Sequence, residues 1–316
     1  MRTIAALVLV LVTTGCGGRQ VVVAGELVSG FYALAGASIV HSADGERWAT
    51  VYQGDKTLAA LAHAAGRLVA VGSAGRIVVS GDGARWVVVG SSTTVDLADV
   101  THDGERFVVV GSNWTDGGAV LTSADGEGWR VLAQPQLRPD RVRCVGGRCF
   151  VRSGHFGDLP DTYFSRLRGE TFERGERLGW DGPAEDVLVR AALGVAADAL
   201  VTFNDGELLL PGADKDRASL AVRSALSGYI AIGWSEASTS SDGQRWTPLS
   251  LPASSAAGDR APSFHGAAAS GDVAIVGFSK GRVLRSTDLV RWDKIAAAAA
   301  DAAVADAMVR DVRYVP

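Results

Sequence analysis

Ser42-Ala43-Asp44-Gly45-Glu46-Arg47-Trp48 is a seven-residue stretch that returns as Ser80-Gly81-Asp82-Gly83-Ala84-Arg85-Trp86, Ser123-Ala124-Asp125-Gly126-Glu127-Gly128-Trp129 and Ser240-Ser241-Asp242-Gly243-Gln244-Arg245-Trp246. A fifth copy, Ser286-Thr287-Asp288-Leu289-Val290-Arg291-Trp292, lacks the glycine. Five of the eight tryptophans in the 316-residue chain thus belong to one motif. Repetition at a near-constant interval points to a repeat architecture before any strand is assigned.

The intervals decide which one. Trp86 follows Trp48 by 38 residues and Trp129 follows Trp86 by 43. A further 43 reaches Phe172, in the decayed copy Arg168-Gly169-Glu170-Thr171-Phe172. The 74 residues from Phe172 to Trp246 span two units, so one copy, near positions 205 to 215, has been erased. Seven units result, spaced by about 41 residues on average. The third unit shows what a unit contains: Leu97 to His102, a turn at Asp103-Gly104, Phe107 to Gly111, a loop, Ala119 to Thr122, the Asp-Gly turn, and Trp129 to Leu132. Four short strands divided by glycine-containing turns read as one propeller blade. A four-stranded blade cannot cover both of its faces alone, so the units must close a ring. The expected fold is all-β, a seven-bladed β-propeller of four-stranded antiparallel blades.

Within each motif the chemistry is structural. The Asp carboxylate can accept backbone N–H groups, Gly takes positive φ without steric cost, and Ser adds a hydroxyl. The Trp is expected to open the outer strand and to wedge its ring between neighbouring blades.

These repeats resemble the Asp-box propellers, the class shared by sialidases, xyloglucan-cleaving hydrolases, sortilin-type receptors and photosystem II assembly propellers. The resemblance extends from about Val21 to Pro316. One spacing departs from it: the family aromatic follows the Asp by five residues and here by four, which implies a tighter hairpin. In that class the box is not catalytic, and fold alone does not assign activity. A sialidase would carry three arginines clamping a carboxylate, a Tyr nucleophile with a Glu partner and a Phe/Tyr-Arg-Ile-Pro segment ahead of the first box. No such segment precedes Ser42, and Tyr32, Tyr52, Tyr163, Tyr229 and Tyr314 stand in no recognisable setting. Other glycoside hydrolases need two carboxylates at a set separation. Asp158 with Asp161, Glu185 with Asp186, and Asp214 with Asp216 read as solvated loop charges. No nucleophile elbow, zinc-binding His pair, phosphate loop or calcium loop is present, so no catalytic residue, metal or cofactor is assigned. His63 and His102 share one repeat position and read as packing residues, His41 sits next to the motif serine on a strand, and His155 and His265 lie in loops without partners.

Meander geometry sorts the loops onto two rims. The Asp motifs, His63 and His102 share one; the loops between second and third strands share the other with the blade connections. On that second rim Trp114, His155, Phe156, Trp234 and Phe278 follow strand-ending glycines, making it the candidate binding rim for a protein or glycan partner. The alternative is that these rings cover the blade tops.

At the N-terminus, Met1-Arg2 precedes the unbroken apolar run Ile4 to Val12, long enough for a signal peptide and too short to span a bilayer. Thr14-Gly15-Cys16 then resembles a bacterial lipobox. The expected division is therefore a signal peptide over 1–15, a tether over 16–20 beginning at a lipidated Cys16, and the propeller over 21–316. It implies a membrane-anchored protein of the bacterial cell envelope. Cys144-Val145-Gly146-Gly147-Arg148-Cys149 reads as a hairpin whose ends a disulfide can join in an oxidising compartment; a free thiol pair and a metal site are the other readings.

The 39 glycines exceed average usage, and 47% apolar residues are enough to build a core. A net charge of −4 argues against nucleic acid as partner. The propeller is expected to be monomeric. Arg310-Asp311-Val312-Arg313-Tyr314 mirrors Ala98-Asp99-Val100-Thr101-His102, so the C-terminus reads as a first strand completing the first blade, a place for which Val21 to Val23 competes. Two functions remain: a non-enzymatic binding or scaffold module, and a carbohydrate-active hydrolase of the Asp-box class.

Overall fold

The structure is a computed structural model that describes residues 25–113, 117–145, 148–154, 162–168, 170–173, 177–178, 220–224, 226, 228–232, 237–241, 247–248, 264–278, 282–296 and 307–316. Glycine-containing turns every few residues, with Val, Ile and Phe between them, favour short antiparallel strands. The described residues form six antiparallel sheets and no α-helix.

The first sheet runs β25 (Val309–Val315), β1 (Gly30–Ala35), β2 (Ser38–Ser42), β3 (Ala49–Gln53). The C-terminal strand therefore completes the first blade, with Phe31 opposite Tyr314 and Ala33 opposite Val312. Val21 to Val23, the competing segment, lie outside the described residues, as does the seventh unit expected near 205 to 215. The second sheet is β4 (Leu58–Ala64), β5 (Arg67–Gly72), β6 (Ile77–Ser80), β7 (Val87–Val89), and the third β8 (Leu97–His102), β9 (Phe107–Asn113), β10 (Gly117–Ser123), β11 (Arg130–Ala133). The fourth holds β12 (Arg138–Val145), β13 (Arg148–Gly154), β14 (Thr162–Arg168) and β15 (Thr171–Glu173), with β16 (Arg177–Leu178) also on β14. Two more sheets follow: β17 (Leu220–Ser224) to β20 (Thr247–Pro248), and β21 (Phe264–Ala269), β22 (Ala274–Phe278), β23 (Arg282–Ser286), β24 (Asp293–Ala296).

The core lies between sheets. Phe31, Val40 and Trp48 of the first sheet pack with Val273, Ile275 and Val283 of the last. Tyr32, Leu34 and Ile39 meet Leu61, Leu68 and Val78 across the next seam. The following seams join Val69 and Val79 to Leu97 and Val109, then Val108 and Val110 to Val142 and Val151. Both faces of a blade are thereby buried, which a single four-stranded meander cannot achieve.

In five of the six described sheets the innermost strand carries a bulge at one place. Register shifts fall between Leu58 and Ala60, Leu97 and Asp99, Pro139 and Arg141, and Phe264 and Gly266, and the pairing of β25 skips Arg310. A bulge leaves ladder amides without a cross-strand acceptor. At two seams such amides are taken up by a buried carboxylate.

Candidate functional site

Each described Ser-x-Asp turn is a closed hydrogen-bond unit. In the first, Gly45 N–H donates to Ser42 Oγ (2.8 Å), Ser42 Oγ to Asp44 Oδ1 (3.1 Å), and the N–H groups of Glu46 and Arg47 to the same oxygen (2.9 and 3.0 Å). Trp48 Nε1 then donates to the Gly45 carbonyl at 3.1 Å. The same bonds recur through Ser80, Asp82 and Trp86, through Ser123, Asp125 and Trp129, and through Ser286, Asp288 and Trp292. The outer strand begins one residue after each Trp, at Ala49, Val87, Arg130 and Asp293, and not at the Trp itself. The bond from the indole to the turn carbonyl holds the Trp within the turn. Asp242, Gly243 and Trp246 of the remaining copy lie outside the described residues; Ser240 ends β19 (Ala237–Ser240).

The turns also dock against the preceding blade. A Cβ placed on Gly45, at φ 75°, would stand 2.7 Å from Ile275 Cδ1, and one on Gly83, at φ 78°, would overlap the Tyr32 hydroxyl. Gly126, at φ 77°, faces Val69 in the same way. Glycine is thus required twice, for its dihedral and for the close approach. Leu289 adopts φ 61° where the other copies have Gly.

Turn amides tune the carboxylates. Those of Arg47 and Glu46 hold Asp44 well below the usual carboxylate range. Burial pushes Asp82 and Asp125 up, but the N–H groups they accept outweigh it and both stay low. Burial, aided by the Asp82 charge, pushes the Tyr32 phenol up to about 12. None of these groups is poised to exchange a proton near neutrality.

His63 and His102 occupy one register position, opposite Leu68 and Phe107. Burial pushes His63 down, and His102 stands edge-on to Phe107 at 4.8 Å. Tyr314 beside Phe31, at 5.0 Å, fills the same slot in the first sheet. In the fourth sheet the slot holds Cys144 opposite Cys149, and the two form a disulfide. His41 donates through Nε2 to the Ser29 carbonyl at 3.0 Å.

Of the candidate binding rim, Trp114, His155, Phe156 and Trp234 lie outside the described residues, and Phe278 is placed only as the last residue of β22, opposite Phe264 and Arg282. Cys16, and the carboxylate pairs Asp158/Asp161, Glu185/Asp186 and Asp214/Asp216, also lie outside them.

Sequence reasoning missed two buried carboxylates at the bulges. Asp99 is 2% and Asp311 6% exposed. Asp99 Oδ1 accepts the N–H of Val100 in its own strand (3.0 Å), while Oδ2 accepts the N–H of Val142 in the next sheet (2.9 Å). Asp311 repeats this, taking Val312 N–H at 2.9 Å and Leu61 N–H at 2.9 Å. Arg313 adds a bond to the Leu61 carbonyl at 2.7 Å and an ion pair to Asp311 at 3.2 Å. Each carboxylate therefore satisfies two bulge amides and ties two innermost strands together. The signal was present in the paired Asp-Val steps at 99–100 and 311–312. Elsewhere in the ring Gly266 lets β25 approach, since a Cβ there would stand 2.7 Å from the Val312 nitrogen.

No protein-family model and no curated protein matches the chain. Solved structures do. Apo AztD from Citrobacter koseri is 10% identical, with 91% of this chain and 98% of that one covered and a TM-score of 0.52. TolB from Acinetobacter baumannii is 16% identical over 92% and 68% at a TM-score of 0.44, and YCF48 from Cyanidioschyzon merolae 12% identical over 80% and 87% at 0.45. The fold is a β-propeller. At such identities the likeness extends to the fold and no further.

Proposed function

We propose that this protein is a non-enzymatic, lipid-anchored propeller of the bacterial cell envelope, a seven-bladed member of the Asp-box class that binds a protein or polysaccharide partner. The observation that carries this reading is where the carboxylates go. Asp99 and Asp311, the two buried ones among the described residues, hold backbone amides across blade seams. The turn aspartates are filled by amides of their own turns. A glycosidase acid needs a raised pKa, whereas the turn carboxylates are all lowered.

The rim that carries Trp114, His155, Phe156, Trp234 and Phe278 is the binding face in this reading. Affinity capture from detergent-solubilised envelope with the full-length protein tests it. A partner retained by the wild type and lost by Trp114→Ala/Trp234→Ala, with unchanged melting, supports the reading. Turnover of any substrate in a glycan panel would replace it with the hydrolase alternative. Incorporation of labelled palmitate, abolished by Cys16→Ser, tests the anchor.

A further inference from the structure

The described chain does not run freely into β1. Gly25 N–H donates to the Gly81 carbonyl (3.3 Å) and Val28 N–H to the Asp82 carbonyl (3.2 Å). Residues 25–28 therefore lie along the Ser-x-Asp turn of the second sheet. Tyr32 Oη donates to the Val28 carbonyl at 2.9 Å, Ser29 Oγ to the Val315 carbonyl at 3.1 Å, and His41 Nε2 to the Ser29 carbonyl. These bonds pin the incoming chain to the rim that carries the Asp turns. The other rim holds the blade connections: Gly75 N–H donates to the Val95 carbonyl and Leu58 N–H to the Gly36 carbonyl, each at 2.8 Å.

We infer that the Asp-turn rim faces the lipid surface and that the opposite rim, the one proposed to bind a partner, faces away from it. This rests on the lipid anchor at Cys16. Nine Cα steps separate Cys16 from Gly25, a reach of at most about 30 Å when fully extended. Strands of six residues, such as Gly30–Ala35, set the two rims apart by about 20 Å. Presenting the far rim to the bilayer would use about 20 Å of that reach along the side of the molecule, leaving about 10 Å and pressing the blade connections into the headgroups. With the turn rim towards the bilayer the tether is unstrained, and the partner face is open to the aqueous space.

Single-cysteine labelling tests the orientation. Cys144 and Cys149 are joined to each other, so a thiol dye reports only an introduced position. Glu46→Cys, Ala84→Cys and Glu105→Cys place exposed labels on the turn rim; Lys56→Cys and Thr94→Cys place exposed labels on the other. Each full-length lipoprotein is reconstituted into vesicles carrying acceptor-labelled headgroups, and energy transfer is read. The turn-rim labels should transfer at least about threefold more efficiently, given the ~20 Å separation of the rims. Equal transfer, or stronger transfer from Lys56 and Thr94, with the protein still bound to vesicles, overturns the orientation and leaves the anchor standing. A wild-type protein that stays in the aqueous phase overturns both.

Discussion

Replacing Asp311 by Ala removes the acceptor for two amides at the seam between the first and last parts of the chain. Val312 N–H and Leu61 N–H, each 2.9 Å from the carboxylate, are left bare in a position where Asp311 itself is 6% exposed. An orphaned buried amide costs about 1–3 kcal/mol, so the pair should cost about 4 kcal/mol. Arg313, ion-paired to the same carboxylate, adds a smaller loss. Asp99→Ala bares Val100 and Val142 in the same geometry. An unmet donor costs the same whether its acceptor is 250 or 43 residues away, so the two losses should agree within about 1 kcal/mol. For a chain of this size about 4 kcal/mol corresponds to a fall in Tm of about 10 °C. Denaturant unfolding followed by tryptophan fluorescence, with circular dichroism to check that transitions coincide, reads both quantities. A loss below about 1 kcal/mol for Asp311→Ala would show that the bulge amides find other acceptors, and would refute the bridging role.

Three further outcomes follow from the turns and the fourth sheet. Gly83→Ala should cost about 3 kcal/mol, because its Cβ overlaps the Tyr32 hydroxyl, whereas Gly66→Ala should cost only about 1 kcal/mol for its positive φ; Gly66 is at φ 67° with nothing within 4 Å, and equal losses would contradict the docking of the turn on the preceding blade. Folded-state carboxylates at Asp44, Asp82, Asp125 and Asp288 titrate below their unfolded values. Their contribution is therefore complete above the unfolded value of about 4 and is lost as pH falls below it. The denaturation midpoint should thus hold from pH 7 to 5 and drop by pH 3, and Asp82→Asn should show a lower plateau with a shallower drop. Reduction of Cys144–Cys149, which closes a short loop, should lower stability by about 2 kcal/mol, read as a downward shift in Tm with dithiothreitol; no shift would show that the unfolded hairpin is already closed.

The repeat made much of the scaffold readable. Each motif copy is a local hydrogen-bond unit, so Ser42 to Trp48 carries its own fold instruction in seven residues, and the spacing of copies sets the blade. The mirror between residues 98–102 and 310–314 marked the C-terminal segment as a first strand, because strands in equivalent slots meet the same neighbours, and the pairing of β25 with β1 settled its place. Placement of the Trp was less legible: its indole is bonded to the turn carbonyl, and β3, β7, β11 and β24 begin one residue later. The role of Asp99 and Asp311 was hidden for a different reason. A bulge appears in no single-strand pattern, since it is a property of how two strands align.

By itself, then, the sequence determined an all-β chain of repeated four-strand units and the local chemistry of the Asp turns, and it offered the C-terminal segment as one of two candidates to complete the first blade. These depend on contacts within a dozen residues or on periodicity. Only the tertiary structure decided that the turn glycines seat against the preceding blade, that two carboxylates join innermost strands of adjacent sheets, and that the incoming chain leaves on the turn rim. Each of those depends on groups brought together from distant positions, such as Leu61 and Asp311 or Gly25 and Gly81. Ring closure creates these neighbours, and no linear pattern encodes the distance between them.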